Sequence, residues 1–185
     1  MKISDYIHSY HQVITNDLAD SVINHYHTNG QWNQSSFSTN TDISPRTNNR
    51  VDMKEYWINK KDRYYEELKT GFRSMVDDYI KTHTKIIPQS FTPFRMNHYS
   101  EGGFMKNHID NIHHSHGQQY GYPHVTALLF LQTAEEGGEI VFCDGEYIPK
   151  QTKGSGVVFP SNFMFSHEVK EVIKGNRYSL MTWIL

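Results

Sequence analysis

At Pro88 the hydrophobic period of the chain changes, and that change limits the fold more than any other feature. Before it, residues 53–84 carry Leu68, Phe72, Met75, Val76, Tyr79 and Ile80 at three- and four-residue spacing, with Lys and Glu opposite. That is the stripe of an amphipathic helix. After it come about eight short apolar or alternating runs bounded by Gly, Pro and Asn, near 92–98, 104–109, 124–132, 138–143, 146–150, 155–159, 165–171 and 177–184. Helices followed by short strands predict an α+β chain, mainly β: supporting helices packed on a β-sandwich or distorted barrel of the jelly-roll kind.

Ahead of the long helix, residues 1–28 predict an entry segment and a first helix. Its N-cap is Asn16 or Asp17, its stripe Leu18, Val22, Ile23 and Tyr26, and its stop Gly30. Residues 31–50 are polar, rich in Ser, Thr and Asn, and without a period, which predicts either a disordered stretch or a mobile lid. A chain of 185 residues suits one domain, 1–185, with 1–90 as helical support and 91–185 as the β core. Cys143 is the single cysteine and has no intrachain partner, so it reads as a small core or strand residue. The N-terminus lacks the pattern of a signal peptide and no apolar run approaches the roughly 18 residues of a membrane span. A cytoplasmic protein is expected. With 18 basic and 20 acidic side chains the net charge is −2, which leaves no electrostatic footprint for nucleic acid. The 12 histidines predict charge and metal binding that depend on pH near about 6 to 7.

The chemistry gathers at His108 and Asp110. In an extended segment, residues two apart project from the same face, so an imidazole and a carboxylate point at one spot. With 12 His and 10 Asp in the chain, one His-x-Asp is about what chance provides, so the pair needs a third partner. His167 supplies one if the second and seventh strands face each other across the barrel. Two imidazoles and one carboxylate, with coordination positions left open, form the facial triad of non-haem Fe(II) chemistry. The plain alternative is a hydrogen-bonded core histidine and an unrelated surface pair. Arg177 opens the last strand, where Arg177, Ser179, Met181 and Trp183 share a face. If that face lines the interior, the guanidinium is buried and needs an anion. A bound dicarboxylate fits, gripped by Arg177 with Ser179 and Tyr99 adding hydrogen bonds. The segment 111–124, with His113, His114 and His116, reads as a loop facing the substrate or, less economically, as a second metal site.

Several of these stretches stand in the order of a known family. Tyr99-x-x-Gly102 precedes His108-x-Asp110; Thr126 to Leu131 (TALLFL), EEGGEIVF at 135–142, KGSGVVFP at 153–160, and His167 followed by VIKGNRYSLMTWI at 172–184 complete the set. From about Arg95 to Leu185 the chain resembles the Fe(II)/2-oxoglutarate-dependent oxygenases of the prolyl 4-hydroxylase type. The resemblance implies a double-stranded β-helix core, with iron held by His108, Asp110 and His167. It also implies Arg177 on the distal carboxylate of 2-oxoglutarate and Tyr99 on another of its oxygens. Met105 stands where the family has a second tyrosine, Phe130 where it has an aromatic hydroxyl, and Arg177 where many members carry Lys.

The activity so implied is hydroxylation of a C–H bond on a peptide, prolyl peptides included, or on a small molecule. Fe(II), 2-oxoglutarate and O2 are consumed or used, with ascorbate as an accessory reductant, and succinate and CO2 are released. The rival reading is a non-catalytic metal- or ligand-binding jelly-roll module. Substrate and oligomeric state are not legible in the chain.

Overall fold

The computed structural model describes residues 2–35, 50–111 and 122–185. The expected lid or disordered stretch at 31–50 and the loop at 111–124, with His113, His114 and His116, therefore fall largely outside the described residues.

Two helices carry the apolar stripes. α1 (Asn16–Asn29) buries Ala19, Val22, Ile23 and Tyr26. Its N-cap is Thr15, whose hydroxyl accepts from Leu18 N at 3.1 Å, rather than Asn16 or Asp17. Gly30 ends it, donating to Tyr26 O. α2 (Tyr65–Thr82) buries Leu68, Phe72, Met75, Val76 and Tyr79, as the spacing predicts. It begins at Tyr65 rather than near residue 53, because residues 54–58 (KEYWI) form a strand that sends Tyr56 and Ile58 toward the helices and Trp57 to the opposite side.

Thirteen strands are described. β1 (His8–Tyr10), β2 (Asn33–Gln34), β3 (Val51–Asp52) and β4 (Lys54–Ile58) precede Pro88. β5 (Phe94–Tyr99), β6 (Phe104–His108), β7 (Val125–Gln132), β8 (Glu136–Gly137), β9 (Ile140–Phe142), β10 (Gly156–Pro160), β11 (His167–Val169), β12 (Val172–Lys174) and β13 (Arg177–Ile184) follow it. The larger sheet runs β1-β10-β7-β13-β5-β4-β2 and the smaller β3-β6-β11-β9, while β12 and β8 pair separately. Along the chain β5, β6, β7, β9, β10, β11 and β13 alternate between the two sheets, which is the winding of a jelly roll. The expected strand at 146–150 is reduced to a single bridge between Phe142 and Tyr147. Cys143 and Asp144 turn the chain at positive φ there, and Pro149 has no N–H to donate. Cys143 thus lies in a turn, its thiol on Met164 O.

The larger sheet is covered on both faces. From β7, Ala127, Leu129 and Leu131 pack with α1 and α2, while Leu128 and Phe130 point the other way, toward Met105, Phe142 and Val169. A strand buried on both sides reads as a continuous apolar run, which is why TALLFL shows no alternation. In β13 the same alternation sends Tyr178, Leu180 and Ile184 to the helices and Met181 and Trp183 into the space between the sheets. Among the described residues no helix is long and apolar enough to cross a membrane.

Candidate active site

The inter-sheet space narrows to a cavity whose walls are polar at both ends. On the smaller sheet His108, the last residue of β6, pairs in register with His167, the first of β11. The two strands are hydrogen-bonded neighbours rather than facing walls, so the expectation of a barrel-spanning triad is corrected: the histidines meet side by side, ring centroids 4.2 Å apart. Asp110 lies just past the strand end, and its Oδ1 is 3.7 Å from His108 Nε2 and 3.8 Å from His167 Nε2. One ligand atom from each of the three residues lies within 4.8 Å of the others, and all three side chains are buried.

The hydrogen bonds around this cluster decide which atoms face inward. His108 Nδ1 contacts Lys106 O at 2.9 Å and His167 Nδ1 contacts Phe165 O at 3.1 Å. A carbonyl only accepts, so each Nδ1 donates, and in the neutral ring each Nε2 keeps its lone pair. Asp110 Oδ2 accepts from Thr126 Oγ1 at 2.6 Å, leaving Oδ1 turned to the histidines. Burial, the largest cause, and His167 push the His108 pKa down to about 3, against Asp110 and the Lys106 carbonyl. Burial lifts the Asp110 pKa, but His167, His108, Thr126 and Arg95 together bring it below the ordinary carboxylate value. With both rings neutral, three acceptor atoms converge, an arrangement that a cation completes. The donor set, two neutral imidazoles and a carboxylate with free positions, fits Fe(II).

Arg177, Ser179 and Tyr99 stand on the opposite, larger sheet. Arg177 is 3 % exposed, and its Nη1 donates to Ser179 Oγ at 2.9 Å. Burial lowers its pKa and Tyr99 raises it, the net shift being downward, yet a guanidinium stays charged. Among the described residues no carboxylate lies within ion-pair reach of it. Tyr99, in register with Arg177, offers its ring face, with the guanidinium carbon 5.1 Å from the centroid. Its hydroxyl points to Met105 Sδ at 3.9 Å and not to Arg177.

The sequence reading gave no site role to four residues, two that line the cavity and two that support it. Arg95 and Asn97 line the same space, because they precede Tyr99 at two-residue steps on β5. Counting back from Tyr99 with period two would have found both. Glu55 pairs with Arg95 at 3.8 Å and is hidden in sequence by the helical reading of residues 53–84. Thr126, the support of Asp110, is 16 residues away along the chain and has no local signal.

Residues 94–185 match the family described as the 2OG-Fe(II) oxygenase superfamily. The chain is 24% identical over 170 residues to a PKHD-type hydroxylase of Psychrobacter sp. (strain PRwf-1), covering 89% of this chain and 62% of that one. It is 35% identical over 102 residues to a PKHD-type hydroxylase of Shewanella oneidensis, covering 53% and 45%. The chain therefore spans less than two thirds of these relatives' length. Among solved structures it is similar to the viral collagen prolyl hydroxylase of Paramecium Bursaria Chlorella virus-1, with TM-score 0.74, 16% identity and coverage of 99% and 98%. It is also similar to a Trichoplax adhaerens prolyl hydroxylase in complex with a hypoxia inducible factor oxygen degradation domain peptide fragment, with TM-score 0.72, 20% identity and coverage of 98% and 84%. At these identities the solved structures establish the jelly-roll fold.

Proposed function

Because the chain belongs, through residues 94–185, to the 2OG-Fe(II) oxygenase superfamily, we propose that it is an Fe(II)- and 2-oxoglutarate-dependent dioxygenase of the prolyl 4-hydroxylase type, acting on a C–H bond of a peptide. The observation that carries this reading is the pairing of two features across one cavity: the converging ligand atoms of His108, Asp110 and His167 on one side and, on the other, a buried guanidinium with no carboxylate partner among the described residues. When bound, Fe(II) with 2-oxoglutarate and O2 supplies oxidative decarboxylation to succinate and CO2 and insertion of one oxygen into the substrate.

The protein's part is to hold and orient. His108, Asp110 and His167 would bind the metal, the two carbonyl-anchored Nδ1 atoms keeping each Nε2 aimed inward. Arg177, steadied by Ser179, would take the distal carboxylate of the co-substrate, and the Tyr99 hydroxyl would turn from Met105 to another of its oxygens. Leu128, Ile140 and Met181 line the cavity and exclude water from it. A peptide substrate is supported by the peptide fragment in the Trichoplax structure, and prolyl peptides belong to the panel that tests it. We further take residues 1–185 as a single domain, since α1 and α2 pack on the sheet that carries Arg177. A cytoplasmic location is the accompanying proposal, supported by the single cysteine, Cys143.

The test is succinate formation from 2-oxoglutarate with Fe(II), alongside a peptide panel scored for a gain of about 16 Da, one oxygen atom. His108→Ala is expected to lose both Fe(II) binding and succinate formation. Retention of both would show the ligand set to be wrong. A protein that binds metal but forms no succinate with any peptide would favour the non-catalytic module instead.

A further inference from the structure

Arg95 is a second guanidinium in the cavity that holds Arg177 and the triad. It lies on the inward face of β5, across from Met181 of β13, and is 3 % exposed. Two indoles flank it: its guanidinium carbon is 5.9 Å from the Trp57 ring and 5.6 Å from the Trp183 ring. Glu55 is its counter-ion at 3.8 Å, an ion-pair contact too long for a hydrogen bond. A buried ion pair of this kind adds little stability that apolar packing would not supply, so its place in a ligand cavity asks for another explanation. Asn97, between Arg95 and Tyr99 on the same face, has a buried Oδ1 with no hydrogen-bond partner among the described residues.

The order of groups along the two strands is informative. Tyr99 sits beside Arg177, Asn97 beside Ser179, and Arg95 beside Met181. One end of this polar wall is the Arg177–Ser179 pair. Toward the other end, Trp183 is in register with Thr126, whose hydroxyl holds Asp110. Arg95 therefore lies toward the triad and lines the same cavity as His108, Asp110 and His167. The charges agree with this arrangement. Among the described residues of the site, a divalent metal, Arg95 and Arg177, set against Asp110 and Glu55, leave two positive charges in a desolvated space, and a dicarboxylate cancels them.

Resting on the co-substrate reading above, we propose that Arg95 is a second carboxylate anchor: it contacts the metal-proximal carboxylate of the oxo acid while Arg177 holds the distal one. Glu55 then serves as the placeholder that keeps Arg95 compensated when no acid is bound.

The test is calorimetric binding to the full chain loaded with Mn(II) in place of the oxidisable iron, using 2-oxoglutarate and pyruvate. Pyruvate keeps the metal-proximal carboxylate and lacks the distal one. Arg177→Gln is expected to weaken 2-oxoglutarate about 100-fold and to leave pyruvate within about threefold. Arg95→Gln is expected to weaken both acids by a similar factor, about tenfold. Since Arg95→Gln strands Glu55, the neutral double variant Glu55→Gln/Arg95→Gln is measured beside it, with the same losses expected and Mn(II) affinity retained. Glu55→Gln alone should tighten both acids. If the double variant binds either acid within about threefold of wild type, the second anchor is refuted. If Arg177→Gln also leaves 2-oxoglutarate unchanged, the oxo-acid reading of the cavity falls with it.

Discussion

Thr126 has one hydroxyl proton and two acceptors within reach: Asp110 Oδ2 at 2.6 Å and Ser161 Oγ at 2.9 Å. The carboxylate is the stronger acceptor, so Thr126 donates to it and Ser161 donates to Thr126. This short relay fixes the plane of Asp110 and leaves Oδ1 as the oxygen turned toward the two Nε2 atoms. Such outer partners of a metal ligand typically contribute about 10- to 100-fold in affinity. Thr126→Val keeps the shape and removes the donor, and is expected to weaken Mn(II) or Fe(II) binding by about that factor in a chelator competition. Binding unchanged within about threefold would mean that Asp110 is oriented by something else. Arg177 poses a larger stake at the same scale. Among the described residues no carboxylate reaches its buried guanidinium, so a ligand anion compensates it, and Arg177→Ala should cost 2-oxoglutarate binding on the order of 3 to 5 kcal/mol, or about 100-fold or more.

At the scale of elements, the site depends on how closely α2 presses the larger sheet. Gly156 opens β10 under Met75, and a Cβ there would lie 2.4 Å from Met75 Sδ and 2.6 Å from Leu128 O. The thioether can swing aside, but the carbonyl belongs to the β7 backbone and cannot. Gly156→Ala should therefore destabilise the fold by about 1–3 kcal/mol, seen as a lower urea midpoint with an unchanged slope. An unchanged midpoint would refute this account of the contact. The helices were legible because their stripes are long: Leu68 to Tyr79 spans three turns, all facing one sheet. β4 was not, since its five residues adjoin a helix and its aromatic residues extend the helical stripe backwards. The strand expected at 146–150 failed for a different reason. The turn at Cys143 and Asp144 and the ring of Pro149 deny it a ladder, although its apolar content reads as a strand.

At the scale of the whole molecule, the cavity's outline was legible where two-residue periodicity met a distinctive residue, as at Tyr99, Arg177 and Ser179, while Asp110 joins the histidines from just past the end of β6. It was not legible where the partner came from a strand that sequence assigned to something else, as with Glu55, or where the contact crosses the sheet order, as with Thr126 and Asp110. Nor does sequence alone anticipate what burial does to titration. Twelve histidines suggest pH sensitivity near about 6 to 7, yet His108 in the folded protein has its pKa pushed down to about 3. In the unfolded chain it returns to about 6.5. As pH falls between these values the unfolded chain takes up a proton that the folded chain refuses, so the metal-free fold loses stability. The slope from this one group approaches about 1.4 kcal/mol per pH unit at most, and the loss ends once the pH drops through the folded value. Asp110, whose folded pKa is also lowered, adds stability above about pH 3.9 that is lost on further acidification. The urea midpoint of the metal-free protein should accordingly fall from pH 6.5 toward pH 4, and His108→Gln should fall less steeply by about one proton's worth of slope. Metal that binds only the folded state should raise the midpoint at each pH. Equal slopes in the wild type and His108→Gln would mean that His108 titrates normally, and that the converging lone pairs inferred between the sheets are not held ready for a cation.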